Sequence, residues 1–300
     1  MSIAVQTGPV TTVQRRAVGP SPLRVFPIAI SGNVFGWTAD VTATEGILDE
    51  YAAAGGNFID TADSYAGGRS EIMIGNWMRA KRNRADMVVA TKIGKSADNP
   101  GLSPRAIVAS VDASLQRLRT GYIDLLYLHI DDAHVPFDET LLAVDSLISA
   151  GKVRAFGGSD HTGNRLIEAR IASAQLGVAH MVALQNHYNL MHRHEYEGGL
   201  AHVADMQHLG VMPRFALASG FLTGKYLGKR GSRVLAMLDE VAAAHESTVA
   251  SVALAWLLSK RNVVAPVVSA SRPEQVTELV AAVGLSLTRH QLADLDRVSA

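Results

Sequence analysis

Short apolar runs alternate with longer amphipathic stretches along most of the chain. The apolar runs are rich in Val, Ile, Leu and Phe and are typical of β-strands, whereas the amphipathic stretches are typical of helices that bury one face. Strands are predicted at 25–30, 57–60, 87–91, 122–128, 153–157, 181–185, 211–217 and 263–268. Helices are predicted at about 43–54, 70–82, 104–119, 139–150, 163–175, 194–209, 232–245 and 249–260.

This order of elements favours one fold class. Parallel strands need a crossover connection at each return, so strands that alternate with helices predict a parallel sheet. Eight strands, most of them buried on both faces, fit a closed (β/α)8 TIM barrel better than an open sheet. The alternative is a doubly wound sheet, although no Gly-x-Gly-x-x-Gly follows the first predicted strand. No linker or low-complexity tract divides the chain, so we expect a single barrel domain over residues 1–300.

Local signals refine the predicted element boundaries. The stretch VQRRAVGPSPLRV before the first strand is rich in Gly and Pro and predicts a short N-terminal hairpin. Ser103-Pro104 places a capping hydroxyl before a residue that needs no N–H at a helix start. Ser271-x-x-Glu274 and Thr288-x-x-Gln291 match the capping-box pattern, so each predicts a helix N-terminus.

Composition and charge exclude several classes of protein. The 300 residues are 48% apolar and 19% charged, which is typical of a globular chain. The 28 basic and 28 acidic side chains cancel, so we expect no nucleic-acid partner and no anionic membrane surface. The absence of cysteine excludes disulfides, thiolate nucleophiles and Cys-ligated zinc. With no secretory signal pattern and no apolar run near the roughly 20 residues of a membrane span, we expect a soluble, cytoplasmic protein.

Polar residues collect where the predicted strands end. In a barrel the carboxyl ends of all strands converge on one mouth, so these residues are considered together. Taken singly, each has an ordinary structural interpretation, such as a turn-forming aspartate or a lysine that reaches solvent. Together they bring an acid, a base, an imidazole and amide groups to one rim. They are Asp60, Lys92, His129, Ser159 with Asp160, Gln185, Arg214 and Ser269.

The stretch GGNFIDTADSYAGGRSE at 55–71 suggests a specific chemistry. Asp60 ends the second strand and Tyr65 follows in the loop, while Lys92 comes from the neighbouring strand. An ammonium beside a phenol favours the phenolate, and a carboxylate keeps that ammonium charged and oriented. Tyr65 is therefore predicted to act as a general acid. His129, from the next strand, is expected to hydrogen-bond the same substrate oxygen or to relay the proton.

One stretch of the chain is rich in histidine, a common metal ligand. His187, His192 and His194 follow the sixth predicted strand, but Arg193 places a cation between two of them. We interpret the stretch as a solvated loop and predict no metal.

The segments FIDTADSY, VVATK and DLLYLH resemble the catalytic motifs of the aldo-keto reductase family, with Asp60, Tyr65, Lys92 and His129 as its tetrad. The resemblance spans nearly the whole chain, from LRVFPIAISGNVFGW to SRPEQV. It implies a (β/α)8 barrel that reduces an aldehyde or ketone to an alcohol with NAD(P)H, the hydride coming from the nicotinamide and the proton from Tyr65. It also implies that the nicotinamide is contacted by Ser159, Asp160 and Gln185. The pyrophosphate is expected to be contacted by Leu217, Gly220 and Lys225.

A phosphate site is predicted after the last strand. Ser269, Ser271 and Arg272 are expected to open a helix there, and Gln275 is expected to contact the cofactor. Free N–H groups, a hydroxyl and a guanidinium at a helix N-terminus bind anions. A ribose 2′-phosphate is the natural occupant, so NADPH is favoured, with NADH possible.

Several positions and one loop depart from the family pattern. Ser31-Gly32 stands where Gly-Thr is common. Asp160 replaces an Asn and can accept from a carboxamide but cannot donate to it. Arg214 stands where an aromatic ring commonly stacks on the nicotinamide, and Leu279 stands where an Asn commonly meets the adenine. The loop after Tyr226 is short.

The substrate is expected to be a small-molecule carbonyl compound, and Trp37 has two interpretations. It either forms a wall of the substrate pocket or packs in the core. The sequence carries no signal for an oligomeric state.

Two other functions remain open beside carbonyl reduction. The first is a regulatory protein that binds the cofactor on the same barrel with little turnover, because a fold does not determine a function. The second is a metal-dependent hydrolase, which the first strand disfavours because VFPIAISGN contains no His pair.

Overall fold

A two-stranded hairpin precedes the barrel in the computed structural model, which describes residues 13–224 and 233–300. β1 (Arg16–Ala17) pairs antiparallel with β2 (Arg24–Val25), which confirms the predicted hairpin and assigns Val25 to it rather than to the first barrel strand. Gly19 in the hairpin turn has a φ of +51°, and a Cβ at this position would lie 2.2 Å from the Val182 carbonyl oxygen. Only glycine therefore lets the hairpin pack this closely against the N-terminal end of the barrel.

Eight parallel strands form one sheet, in the order β10-β3-β4-β5-β6-β7-β8-β9. Backbone hydrogen bonds close it, since Val211 donates to the Asn262 carbonyl (2.8 Å) and Val267 donates to the Pro213 carbonyl (2.9 Å). The closed (β/α)8 barrel is confirmed, and the doubly wound alternative is wrong. The strands are β3 (Ala29–Ser31), β4 (Phe58–Asp60), β5 (Val88–Ile93), β6 (Ile123–Leu128), β7 (Val153–Ser159), β8 (Ala183–Gln185), β9 (Gly210–Val211) and β10 (Val267–Val268).

Helices cover the outside of the sheet. The prediction of one helix over 194–209 is wrong, because the segment breaks at Gly198 into two short helices. The predicted start at 232 lies outside the described residues. The helices are α1 (Val41–Ala53), α2 (Arg69–Lys81), α3 (Pro104–Leu118), α4 (Phe137–Ser149), α5 (Gly163–Leu176), α6 (His194–Glu197), α7 (Gly199–Met206), α8 (Arg233–Ala244), α9 (Val249–Leu258), α10 (Glu274–Ala281) and α11 (Arg289–Val298).

Two of the three predicted caps are present. The Ser103 hydroxyl accepts from the Ala106 N–H at the start of α3, and Thr288 with Gln291 forms a full capping box at α11. The predicted box at Ser271 is wrong, because α10 begins only at Glu274 and no side chain caps it.

Alternating side chains of the strands build two apolar layers. Residues on the inner face, such as Phe58, Ala90 and Leu125, fill the barrel interior together with Val18 and Val25 of the hairpin. Residues on the outer face pack against the helices, and they include Ile59, Val89, Leu126, Phe156, Leu184 and Val211. The hairpin thus closes the N-terminal end of the barrel, so the opposite end is the one open to a ligand.

The helices within residues 13–224 and 233–300 are short or polar relative to a membrane span. No single one is long and apolar enough to cross a bilayer. Only α8 and α9 taken together have the length and composition, and these two are bent by 95° at the break between them.

Candidate active site

The four predicted catalytic side chains meet at the open end of the barrel. Asp60 is the last residue of β4, Lys92 lies near the end of β5, and His129 directly follows β6. Tyr65 begins a short turn of 3-10 helix, Tyr65–Gly68, after β4. Because β4, β5 and β6 are neighbours in the sheet, their carboxyl ends bring these residues together.

Lys92 is the centre of this group. Its ammonium donates to Asp60 Oδ1 at 2.5 Å, to the Thr61 carbonyl oxygen at 2.8 Å and to the Tyr65 hydroxyl at 3.4 Å. These three acceptors match the three protons of a lysine ammonium. The side chain is fully buried, so it is held in one orientation with its charge towards the phenol oxygen.

The charge of Lys92 survives complete burial because of its partners. Burial alone would lower the pKa of Lys92, but the Asp60 carboxylate and Tyr65 outweigh that effect, so this pKa is raised above its ordinary value. Asp60 is itself held by a contact across the barrel interior, where Gln185 Nε2 donates to Asp60 Oδ2 at 2.8 Å. The expectation that a carboxylate keeps the ammonium charged and oriented agrees with this geometry.

His129 is a neutral side chain in this site. It is 8% exposed, and its ring lies edge-on to the Tyr65 ring at a centroid distance of 6.1 Å. Burial, followed by the cations Lys92, Lys95 and Arg214, lowers the pKa of His129 to about 2. A neutral imidazole ring can hydrogen-bond a substrate oxygen. The two expected roles of His129, that hydrogen bond and a proton relay, both stay predictions.

The predicted nicotinamide contacts lie on the far side of the same mouth. Ser159 ends β7 and Gln185 ends β8, and both side chains are buried. Asp160 has a φ of +58°, and its Oδ1 accepts from Arg214 Nε at 2.9 Å. Arg214 is thus joined to Asp160 by an ion pair, which the sequence does not reveal.

The predicted pyrophosphate segment has an unusual backbone. Ala218, Ser219 and Gly220 follow one another with φ values of +48°, +53° and +89°. Left-handed conformations at residues other than glycine are strained and occur preferentially at functional sites. Leu217 precedes this turn and accepts the Gly220 N–H at 3.0 Å, whereas Lys225 lies outside the described residues.

The predicted phosphate site differs from expectation in its N–H groups. The N–H groups of Ser271 and Arg272 are not free, because both donate to Gln275 Oε1, at 2.8 and 3.2 Å. Ser269 donates to Asn33 Oδ1 at 2.6 Å. Gln275 therefore organises the turn, and Arg272 is left as an exposed cation whose guanidinium has no hydrogen bond to the described residues.

Trp37 and Leu279 differ in their exposure to solvent. Trp37 is 77% exposed, so the interpretation as a core residue is wrong and that of a pocket wall stays a prediction. It follows Gly36, which packs against Arg69 and Ala66 beside Tyr65, so it belongs to the same rim. Leu279 is buried in the core between the helices, so it is not presented to a ligand.

A cluster of buried polar residues beneath the Tyr65 loop was missed from the sequence. Glu71 is fully buried and accepts from Thr91 Oγ1 and from Arg117 Nε, each at 2.6 Å. Asp63 is 2% exposed, and neither carboxylate oxygen makes a hydrogen bond of good geometry with the described residues. The only indication of this cluster in the sequence was the presence of Asp63 and Glu71 after Asp60 in GGNFIDTADSYAGGRSE.

Asp63 makes stability depend on pH. Burial and then the Glu71 carboxylate raise the pKa of Asp63 from 3.8 to about 6, against the opposing effects of Arg117 and nearby N–H groups. Ionisation of Asp63 therefore disfavours the folded state, and the penalty is absent under acidic conditions and grows as pH rises through about 6.

We expect Asp63→Asn to stabilise the protein more at about pH 8 than at about pH 4, by up to about 3 kcal/mol between the two conditions. Urea unfolding of both proteins at the two pH values measures this difference. Asp86→Asn, at an exposed aspartate, is the control. A gain for Asp63→Asn that is equal at both pH values would contradict the assignment.

A cavity of about 1170 Å³ lies beside the tetrad rather than on it. Its lining includes Asp160, Asn186, His187 and Arg214. Asn186 Oδ1 is buried with no hydrogen-bond partner among the described residues, so it is an unused acceptor at this edge.

The histidine-rich stretch is packed rather than solvated as a whole. The rings of His187 and His192 stack at a centroid distance of 3.8 Å, although His194 is exposed. Within 13–224 and 233–300, no three His, Cys, Asp or Glu side chains are grouped so that they could hold a metal ion.

The barrel and the group formed by buried Asp60 and Lys92 with half-buried Tyr65 together define a class of barrel oxidoreductases. The Aldo/keto reductase family pattern matches residues 33–300, so the chain belongs to this family. Members generally use nicotinamide cofactors, and membership supports carbonyl reduction in general terms.

Several curated relatives are similar over most of this chain. Norsolorinic acid reductase B of Aspergillus parasiticus is 30% identical over 95% of this chain and 84% of its own length. A probable voltage-gated potassium channel subunit beta of Arabidopsis thaliana is 32% identical, over 90% and 91% respectively. An aryl-alcohol dehydrogenase of Pestalotiopsis microspora is 29% identical, over 95% and 82%.

Proposed function

We propose that this protein reduces an aldehyde or ketone to an alcohol with NADPH. The observation that carries the proposal is the position of the Lys92 ammonium, 2.5 Å from Asp60 Oδ1 and 3.4 Å from the Tyr65 hydroxyl. The cofactor, when bound, supplies the hydride. The residues of this chain supply the proton and the environment in which the carbonyl oxygen receives it.

Each of the four side chains has one task in this proposal. Tyr65 donates its hydroxyl proton to the carbonyl oxygen. Lys92 stabilises the negative charge that remains on the phenol oxygen, and Asp60 keeps the ammonium in place. Neutral His129 offers a ring N–H to the carbonyl oxygen and so favours one orientation of the substrate.

The residues around the mouth fit a nicotinamide dinucleotide. The Asp160 carboxylate and the unused acceptor of Asn186 suit the NH2 group of a carboxamide. The strained segment 218–220 follows β9 along the chain and offers backbone in left-handed conformations, which occur preferentially at functional sites, for the pyrophosphate. In this proposal Ser159, Gln185 and Arg214 complete the nicotinamide site, while Leu217 and Lys225 belong to the pyrophosphate segment.

Arg272 is proposed to select NADPH over NADH through the 2′-phosphate. We expect Arg272→Ala to raise KM for NADPH about ten-fold, the effect of one charge-assisted hydrogen bond. KM for NADH should change little, so the preference for NADPH narrows. Steady-state kinetics with both cofactors test this, and Arg272→Lys, which keeps the charge, is the control. An equal rise in both KM values would contradict the role.

A regulatory protein that binds the cofactor with little turnover is the second candidate. It is favoured by one observation, the 32% identity to a protein named as a probable potassium channel subunit beta. NADPH consumption measured against a panel of aldehydes, ketones, sugars and pyridoxal separates the two functions. Reductase function predicts oxidation of NADPH with at least one class, whereas tight NADPH binding without oxidation across the panel would favour the regulatory function.

A further inference from the structure

Three charged side chains form a bridge across the mouth, beyond the end of β6, the strand that His129 follows. Lys95 lies two residues beyond β5, Asp160 directly follows β7, and β6 lies between these two strands. Lys95 Nζ is 4.0 Å from Asp160 Oδ2, and Arg214 Nε is 2.9 Å from Asp160 Oδ1. We refer to Lys95, Asp160 and Arg214 as the charged rim.

The charged rim has one positive charge in excess. Its single carboxylate, that of Asp160, is closely paired with Arg214. Lys95 lies farther from this carboxylate, and its side chain is 42% exposed. Below the rim, Lys92 and Asp60 neutralise each other at 2.5 Å. His129 adds no charge, because burial and the surrounding cations lower its pKa to about 2. The charged rim therefore adds a net charge of one positive unit beside Tyr65 and His129, and Lys95 is its more weakly paired cation.

Lys95 is close enough to His129 for its charge to help lower the pKa of that residue. It is three residues from Lys92, so the two Cα atoms are separated by at most about 11 Å. A small molecule that carries an anionic group several bonds from its carbonyl can contact Tyr65 and Lys95 at the same time.

We propose that Lys95 determines substrate specificity by favouring carbonyl compounds with a carboxylate several bonds from the reacting carbon. This inference rests on the proposed carbonyl reduction. A half-exposed ion pair is worth at most about five-fold in affinity, so the preference is moderate and is screened by salt.

The test compares 4-formylbenzoate with its neutral methyl ester, which presents the same aldehyde. For the unmodified enzyme we expect a KM about five-fold lower for the carboxylate than for the ester, with similar kcat. Lys95→Met should remove this preference by raising KM for 4-formylbenzoate alone, and Lys95→Arg should retain it. The preference should also fall as salt is raised from low to physiological concentration.

A second measurement keeps the proposal testable without turnover. Calorimetric titration of 4-formylbenzoate into enzyme saturated with NADP+ should show weaker binding for Lys95→Met than for the unmodified protein. If neither aldehyde is reduced, the proposed function fails for this substrate class, while the titration still decides the role of Lys95. Three results would overturn the inference. The first is equal affinity of Lys95→Met and the unmodified protein for 4-formylbenzoate, and the second is an equal KM of the unmodified enzyme for acid and ester. The third is a loss of NADPH affinity in Lys95→Met that affects the reduction of both aldehydes alike.

Discussion

Replacing Tyr65 with Phe is expected to lower kcat by about 10²–10⁴-fold, the usual contribution of a positioned general acid. The variant keeps the ring that packs edge-on against His129 and removes only the hydroxyl that Lys92 contacts at 3.4 Å. Binding of NADPH, measured by fluorescence titration, should therefore stay near that of the unmodified protein, and the loss should appear in the chemical step under single-turnover conditions.

The matched control is Tyr122→Phe. Tyr122 precedes β6, at the opposite end of the barrel, where its ring is stacked between Arg84 and Arg154. This variant removes a phenol hydroxyl far from the mouth and should keep its kcat. A Tyr65→Phe protein that turns over at the unmodified rate would show that the proton comes from another group.

Replacing Lys92 with Met should abolish activity and destabilise the fold by about 3–5 kcal/mol, because a buried carboxylate loses its partner. Lys92 and Asp60 are both almost completely buried and lie 2.5 Å apart. Methionine fills much of the same volume, so the destabilisation reports on the unpaired charge rather than on a cavity. Urea unfolding at neutral pH gives the free energy of unfolding of each variant.

The double variant Asp60→Asn with Lys92→Met separates charge from packing. It removes both charges, and the amide oxygen introduced at position 60 can still accept from Gln185, so more than half of the lost stability should return while activity stays absent. Equal stabilities of the single and double variants would show that the pair is not coupled. Recovery of activity in the double variant would show that Lys92 has no part in the chemistry.

The barrel and the composition of its mouth were predictable because they follow from strand periodicity. Each apolar run predicts a strand, and the residue after it must lie at the carboxyl end. This is why Asp60, Lys92 and His129 could be assigned to one site from the sequence. Strand lengths were predicted less well. The strand predicted at 211–217 ends in the structure at Val211 of β9. It is shorter because Pro213 has no N–H to donate and Phe215 has a φ of +53°.

Side-chain pairing at the mouth was not predictable. The pattern places Gln185 and Asp60 at strand ends, but only packing of the interior shows that they touch across the barrel. The ion pair between Arg214 and Asp160 has the same origin, since the two residues are 54 positions apart. Gln275 is predicted as a cofactor contact, and the sequence does not reveal that its Oε1 accepts the N–H groups of the preceding turn.

The origin of the hydrogen on the product carbon tests the proposed chemistry most directly. Reduction of 4-formylbenzoate methyl ester with NADPH deuterated at both C4 positions, followed by mass spectrometry of the alcohol, reads this out in a single turnover. We expect one deuterium on the former carbonyl carbon, and none on that carbon when unlabelled NADPH is used in D2O. Carbon-bound deuterium from the solvent, or alcohol formed without consumption of NADPH, would contradict hydride transfer from the cofactor with Tyr65 as the proton donor.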